Sequence, residues 1–261
     1  MRLATFNILH GRSPVDGEVD LDRFATAVQE LDADVLALQE VDRDQPRSLL
    51  ADLTAVAADA MGAQSHRFVA ALAGTPGATW MAATGDEQPG TAAYGVALLS
   101  RYPVHSWQVI RLPPLRVRFP MWSRGAGRVI IVNEEPRVAV AGLVATPHGD
   151  VTCACTHLSF VPGWNVLQLR RLRRDLASLP EPLVLMGDLN MSGRRPARLT
   201  GYRALAEAPT FPAGAPTRQL DHILLRGSLP SPGGAGAVRA VESPQLPLSD
   251  HRPLLADLTE V

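Results

Sequence analysis

Apolar and polar positions along the chain follow two periods, and the switching between them divides it into short strands and a few helices. Residues 2–8 alternate as a strand, and residues 21–31 repeat apolar side chains at helical spacing. The run Asp34-Val35-Leu36-Ala37-Leu38-Gln39 predicts a buried strand ending at Glu40. A helix is expected over 48–60 and a strand over 94–100, whereas 111–135, rich in Pro, Arg and aromatics, lacks a clean period and reads as a long excursion. Two apolar runs, 137–145 and 150–156, flank Thr146-Pro147-His148-Gly149 and predict a hairpin. Residues 164–178 suit a helix with Leu167, Leu169, Leu172 and Leu176 near one side and arginines at 170, 171, 173 and 174. Short strands are expected at 183–186, 221–226 and 253–258, and the Gly/Ser/Pro/Ala tract 227–237 is a loop, because strand signals resume beyond it.

A chain of 261 residues with 46% hydrophobic content can bury a full core and sits at the upper end of what one compact domain holds, so one domain over 1–261, or two fused halves, is expected, as a monomer. The strand pattern starts at residue 2, leaving no room for a charged and then apolar leader, and no apolar run approaches the ~18 residues that span a bilayer. A soluble, cytoplasmic protein is the expectation. Cys153 and Cys155 lie two apart in a strand, where they share a face but make a poor disulfide, so reduced core thiols are expected.

The sequence contains no lysine, so all 25 basic residues are arginine, and asparagine occurs only at 7, 133, 165 and 190. This bias makes arginine clusters weaker evidence for phosphate binding and makes each retained asparagine more informative. The net charge of −1 lacks the global basic bias of proteins that grip long nucleic acids, although a local basic groove remains compatible with it.

Polar residues recur where apolar strands end: Asn7, Glu40, His157, Asp188 with Asn190, Asp221 with His222, and Asp250 with His251 just before a strand. Strand ends meet at a sheet rim, so these distant residues can converge there. Taken alone, Asn7 reads equally as a turn former, Glu40 as a solvated strand end, Gly187-Asp188-Leu189-Asn190 as an Asx-turn, and Asp250 with His251 as a cap and a surface histidine. Their ordered recurrence favours a site. Asn7, Glu40, Asp188 and Asp250 supply hard oxygen donors, which suit magnesium or manganese better than zinc.

The order Thr5-Phe6-Asn7, Leu38-Gln39-Glu40-Val41-Asp42, Leu98-Leu99-Ser100-Arg101-Tyr102-Pro103, Thr156-His157-Leu158, Gly187-Asp188-Leu189-Asn190, Leu220-Asp221-His222-Ile223-Leu224 and Ser249-Asp250-His251 closely resembles the endonuclease/exonuclease/phosphatase superfamily. The resemblance implies an α/β (α+β) fold like that of pancreatic deoxyribonuclease, a four-layered β-sandwich of two mixed sheets flanked by helices. It implies Mg2+, with Mn2+ as the alternative, held by Glu40 with Asn7 and Asp250. It further implies that Asp188 orients or deprotonates the attacking water, Asn190 holds the phosphate or nucleophile, and His251, fixed by Asp221, stabilises the developing charge, while His157 contacts the phosphate. Glu135 and Arg137 are weaker carry-overs: Glu135 matches a glutamate that some relatives pair with the equivalent of His157, and Arg137 offers a phosphate fork. Both read equally as exposed charges at a strand start. Two departures stand out. Gly95 is followed by Val96 where many relatives carry asparagine, and Leu115 to Arg124 looks longer than in a minimal member.

The ester itself is not set by these motifs. The near-neutral charge and His10-Gly11-Arg12, which looks like sphingomyelinase-like members, favour a small or lipid-like substrate. A DNA endonuclease or exonuclease is the alternative, with Arg170 to Arg174 and Arg194-Arg195 tracking the backbone. A catalytically inactive binding module is a remote third reading, opposed by the joint presence of Glu40, Asp188, Asn190, Asp250 and His251.

Overall fold

Two mixed sheets face each other, each covered on its outer side by helices. The computed structural model describes residues 1–76, 78–87, 90–114, 119–123, 127–132, 134–230 and 238–259. The strands, in chain order, are β1 (Arg2–Asn7), β2 (Val35–Arg43), β3 (Ser65–Gly74), β4 (Trp80–Ala82), β5 (Ala93–Ser100), β6 (Val104–Leu112), β7 (Phe119–Ser123), β8 (Arg128–Val132), β9 (Arg137–Thr146), β10 (Gly149–His157), β11 (Leu183–Asp188), β12 (Arg203–Ala204), β13 (Asp221–Arg226), β14 (Val238–Glu242) and β15 (Leu254–Leu258). The first sheet runs β14-β15-β1-β2-β5-β3-β4 and the second β12-β13-β11-β10-β9-β6, while β7 and β8 pair only with each other. Each sheet holds a parallel pair, β1 with β2 and β10 with β11, among antiparallel neighbours.

The period of two sorts the side chains between layers. Leu3, Val35 and Ala37 meet Val151, Cys153, Cys155, Val184, Met186, Ile223 and Leu225 in the core between the sheets. The alternate positions Ala4, Phe6, Leu36 and Leu38 pack outward against α1 (Leu21–Leu31) and α2 (Leu53–Met61). On the far side Ala154, Leu183, Leu185 and Leu224 pack against Leu169, Leu172 and Leu176 of α3 (Trp164–Leu176), near α4 (Arg195–Thr200). This is the four-layered arrangement implied by the sequence. Helix α1 starts where the Asp20 carboxylate accepts from the Arg23 N–H, and α2 where Asp52 accepts from Thr54 and Ala55.

Several expectations need correction. The second helix begins at Leu53 instead of 48, because Asp52 caps it and a short 3-10 turn occupies Pro46–Ser48. Leu167 is exposed, since the α3 stripe facing the sheet is Leu169, Leu172 and Leu176. The strand after Asp34 does not stop at Glu40 but continues to Arg43. Asp221 and His222 open a strand; they reach the rim because β13 runs antiparallel to β11, pairing Asp221 with Asp188. The 111–135 excursion holds the end of β6 and the β7–β8 hairpin, while residues 115–118, 124–126 and Asn133 within it, like 231–237 of the later loop, lie outside the described residues. Both cysteines are free and buried, and burial pushes each thiol up to about 12. Among the described residues no helix is long and apolar enough to cross a membrane.

Candidate active site

The inward-facing rows run past the core and end in polar side chains at one rim. In β1 the row Leu3, Thr5 ends in Asn7, in β10 Cys153 and Cys155 precede His157, in β11 Val184 and Met186 precede Asp188, and in β13 Ile223 follows Asp221. Register sets His157 beside Asp188 and Asp188 beside Asp221. Parity alone would turn Glu40 outward with Leu38. A bulge between Gln39 and Val41, with Glu40 at φ 56°, inserts one residue, so that Val41 resumes the outward row. Glu40 is thereby turned toward the rim, where its Oε1 accepts from Asn7 Nδ2 at 3.0 Å.

Asp188 lies at the centre. Its Oδ2 is 3.2 Å from Asn7 Nδ2, 3.5 Å from His157 Nε2 and 3.8 Å from His251 Nε2, so groups from both sheets meet on one oxygen. Its Oδ1 accepts from the Asn190 N–H at 2.9 Å, which closes an Asx-turn with Asn190 at φ 51°. Asn190 Nδ2 donates to Leu158 O at 2.9 Å and stands 3.2 Å from His157 Nε2. Asn165 at the start of α3 holds the Asn190 carbonyl at 2.9 Å, so at least three of the four asparagines serve this loop or the rim. Opposite, Ser249, at φ 65°, donates its hydroxyl to Asn7 O at 2.6 Å and accepts the His251 N–H at 3.1 Å, tying the Ser-Asp-His turn to β1. The His251 ring is fixed by Asp221 Oδ2 at 2.9 Å and packs against Phe211, centroids 4.9 Å apart.

Burial and charge separate the two histidines. Burial, reinforced by the charges of Arg137 and His251, drives His157 well below its ordinary pKa, so it is neutral. Burial would also lower His251, but the charge and hydrogen bond of Asp221, with the charges of Asp188 and Asp250, hold that ring at about 10 as a cation. Burial and the Asp221 charge raise the Asp188 carboxyl, against the opposing pull of His251 and the hydrogen bonds from Asn190 and Asn7. Burial raises Glu40 too, and the nearby charge of Asp250 adds to it.

These side chains line a cleft of about 360 Å³ with Tyr94, Glu135, Arg137 and the exposed Phe160. Arg137 is buried; its Nε is 3.4 Å from Glu134 and its NH2 is 3.8 Å from Glu135. Burial works against its charge, yet Tyr94, Glu135, Glu134 and Glu40 around it keep it protonated. Arg137 is therefore no exposed strand-start charge. Glu135 accepts from Trp80 Nε1 at 3.3 Å, so among the described residues it is held by Trp80 and Arg137 and not by His157. His10 does not line the cleft: it sits in a turn at φ 47°, where burial and the charge of Arg47 lower its pKa to about 4. Sequence reasoning missed Glu134, Tyr94, Phe160 and Asn165, and quoted Ser249 within its Ser-Asp-His motif without giving it a role; only the scarcity of asparagine pointed to any of the four.

The donors suit a divalent cation. Glu40 and Asp250 are carboxylates near enough to repel, and among the described residues neither has an ion pair within 4 Å; the charges of His251 and Arg137 reach Glu40 only from further off, which leaves room for a cation between the two carboxylates. Asn7 turns its Nδ2 to the carboxylates and its Oδ1 to the Leu9 N–H, which makes it a donor linking Glu40 and Asp188 in this arrangement. Asp188, Asp221 and His251 also bring one atom each within 4.8 Å of one another. Protonated His251 engaged with Asp221 is a poor ligand, which favours Glu40 and Asp250 for the cation.

The sequence matches the endonuclease/exonuclease/phosphatase family over residues 4–251. Comparison with curated protein sequences gives no match. Among solved structures the chain is similar to an endonuclease/exonuclease/phosphatase from Beutenbergia cavernae DSM 12333, with TM-score 0.66 and 22% identity, covering 100% of this chain and 71% of that one. It is also similar to a mannosyl-6-phosphatase of Bacteroides thetaiotaomicron VPI-5482, with TM-score 0.59, 14% identity and 99% of each chain covered. Sphingomyelinase C of Streptomyces griseocarneus matches with TM-score 0.60 and 16% identity over 98% of each chain.

Proposed function

The chain belongs to the endonuclease/exonuclease/phosphatase family, and from that premise we propose that it hydrolyses phosphate esters of small or lipid-like molecules with the help of Mg2+ or Mn2+. The observation that carries the reading is the convergence of Asn7, His157 and His251 on one Asp188 oxygen at the floor of the cleft. Glu40 and Asp250 would hold the metal ion, which would supply Lewis-acid polarisation and offset the charge of the phosphoryl group. Asp188 takes the proton of the attacking water, a role supported by its place in the cleft lining and by the burial that raises its basicity. His251, protonated and held by Asp221, donates to the oxygen on which charge develops, while neutral His157 and the Asn190 amide orient the phosphate. Arg137 adds a fixed positive charge.

The small-substrate preference rests on the wall: Tyr94 and Phe160 bring aromatic surface to a confined cleft. Of the arginines invoked for a nuclease, Arg170, Arg173 and Arg174 line a different cavity, Arg171 lines another, and Arg194 pairs with Glu207. The phosphatase and sphingomyelinase likenesses are compatible with this choice. The test is turnover of bis-p-nitrophenyl phosphate, p-nitrophenyl phosphate, sugar phosphates, sphingomyelin and abasic-site DNA, with Mg2+ and with EDTA. Metal-dependent turnover greatest on a small or lipid ester is expected. Preference for DNA would replace this reading with the nuclease one, and no turnover on any ester would overturn it in favour of a binding module.

A further inference from the structure

A second cavity, of about 500 Å³, lies on the outer side of the second sheet between α3, the end of α4 and the end of β13. Arg170, Arg173 and Arg174 stand at i, i+3 and i+4 on α3 and so share the face that lines it. Arg226 closes β13 on the outward row with Leu224. Its guanidinium is immobilised by Leu176 O at 3.1 Å, Leu179 O at 2.7 Å and Glu181 at 2.9 Å. Gly201, at φ 75°, leaves open space where a side chain would stand, and Tyr202 forms part of the wall. The Tyr202 hydroxyl is shielded from water and has no hydrogen-bond partner among the described residues.

Charge is left over there. Arg174 is 3.0 Å from Asp175 and Arg226 is 2.9 Å from Glu181, but Arg170 and Arg173 have no ion pair among the described residues. The negative end of the α3 dipole accounts for cations in its last turn, not for a cavity walled by the β13 arginine and a buried tyrosine. Arginines in a chain without lysine are ordinarily a solvated face, so the concave wall and the fixed Arg226 decide the matter. We propose that this cavity binds a small phosphate-bearing anion of at least two negative charges, larger than a single phosphate. Guanidinium forks match phosphate oxygens in pairs, and the volume falls in the range of small-molecule sites. Nucleic acid is disfavoured, because the net charge of −1 provides no extended basic track. The site is separate from the cleft: Arg226 and Asp221 lie at opposite ends of β13, roughly 17 Å apart along a strand.

Inorganic pyrophosphate is the probe, titrated calorimetrically into the full chain in EDTA and about 150 mM salt, near physiological screening. Binding at one site is expected, weakened at least tenfold in Arg170→Ala/Arg173→Ala and kept in His251→Ala. The double variant should keep its melting temperature and its turnover of bis-p-nitrophenyl phosphate, since both side chains are exposed. Arg170→Lys/Arg173→Lys should recover only part of the affinity. Four results would each overturn the proposal: no pyrophosphate binding, binding unchanged in the double alanine variant, binding lost in His251→Ala, or sulfate bound equally well. Tighter binding of a single-stranded oligonucleotide that depends on the same two arginines would replace it with a nucleic-acid site.

Discussion

Asp188 and His251 divide the work of the cleft through their surroundings rather than their chemistry. His251 is a cation because Asp221 holds Nδ1 at 2.9 Å, so the two should fail together. His251→Ala is expected to lower kcat on a metal-supported ester by about 10² to 10³-fold, the scale of one lost charge-stabilising donor. Asp221→Asn should lower kcat by a comparable factor, and combining it with His251→Ala should cost little more, as for residues that act as a unit. Steady-state kinetics on the single and double variants checks this; multiplicative losses would separate their roles. Glu40 makes a different prediction, because it repels Asp250 when no cation is present. In EDTA, Glu40→Gln should melt no lower than the wild type. Saturating Mg2+ at a hundred times its Kd contributes about 2.7 kcal/mol, which for a chain of this size raises the melting temperature by roughly 5–10 °C. The wild type should show that rise in a thermal scan and Glu40→Gln should not.

At the level of elements, the rim is legible in the sequence because a period of two carries the inward rows from core residues into Asn7, His157, Asp188 and Asp221. Glu40 defeats that rule. Its strand has the right apolar run, but only the bulge brings the side chain round, and a one-residue insertion leaves no mark in an alternation already polar at Gln39 and Glu40. Strands β3 and β6 escape for another reason: β6 is an edge strand, and the start of β3 is exposed, so both mix Ser, His and Arg among the apolar positions, and β6 adds Gln108. Arg137, read equally as a phosphate fork and as an exposed strand-start charge, is buried beside Glu134 and Glu135 and lines the cleft with Tyr94 and His157, which distant parts of the chain bring there. The β10–β11 parallel pair carries a sharp test. Gly187 adopts φ 145°, and a Cβ there would lie 1.9 Å from Thr156 O, against the strand that holds His157. Gly187→Ala is expected to destabilise the chain by more than about 3 kcal/mol in urea denaturation, combining forbidden backbone with a backbone clash.

For the molecule as a whole, the site exists only while the sheets face each other: Glu40 and Asn7 come from one, Asp188 and His157 from the other, and the Asn7 amide links them at 3.0 and 3.2 Å. The interior that holds them together is apolar and encloses Cys153 and Cys155. Both thiols should therefore resist a thiol reagent in the native state at pH 8 and react together on unfolding, which a colorimetric titration with and without denaturant follows. Long-range electrostatics contribute little beside this local design. A net charge of −1 gives no field to gather polyanions, and the free arginines at 170 and 173 belong to the cavity behind the second sheet, not to the cleft. An enzyme that relied on tracking a nucleic-acid backbone with several cations would lose about 10³ to 10⁵ in affinity between 50 and 200 mM salt. In the reading proposed above, attraction comes from groups in contact with one ester, buried and weakly screened. The kcat/KM for a small diester should fall by less than about threefold over that salt range, because only short-range contacts within the cleft engage it. A loss of a hundredfold or more would mean that charges outside the cleft take part in binding, and would move the substrate toward an extended polyanion.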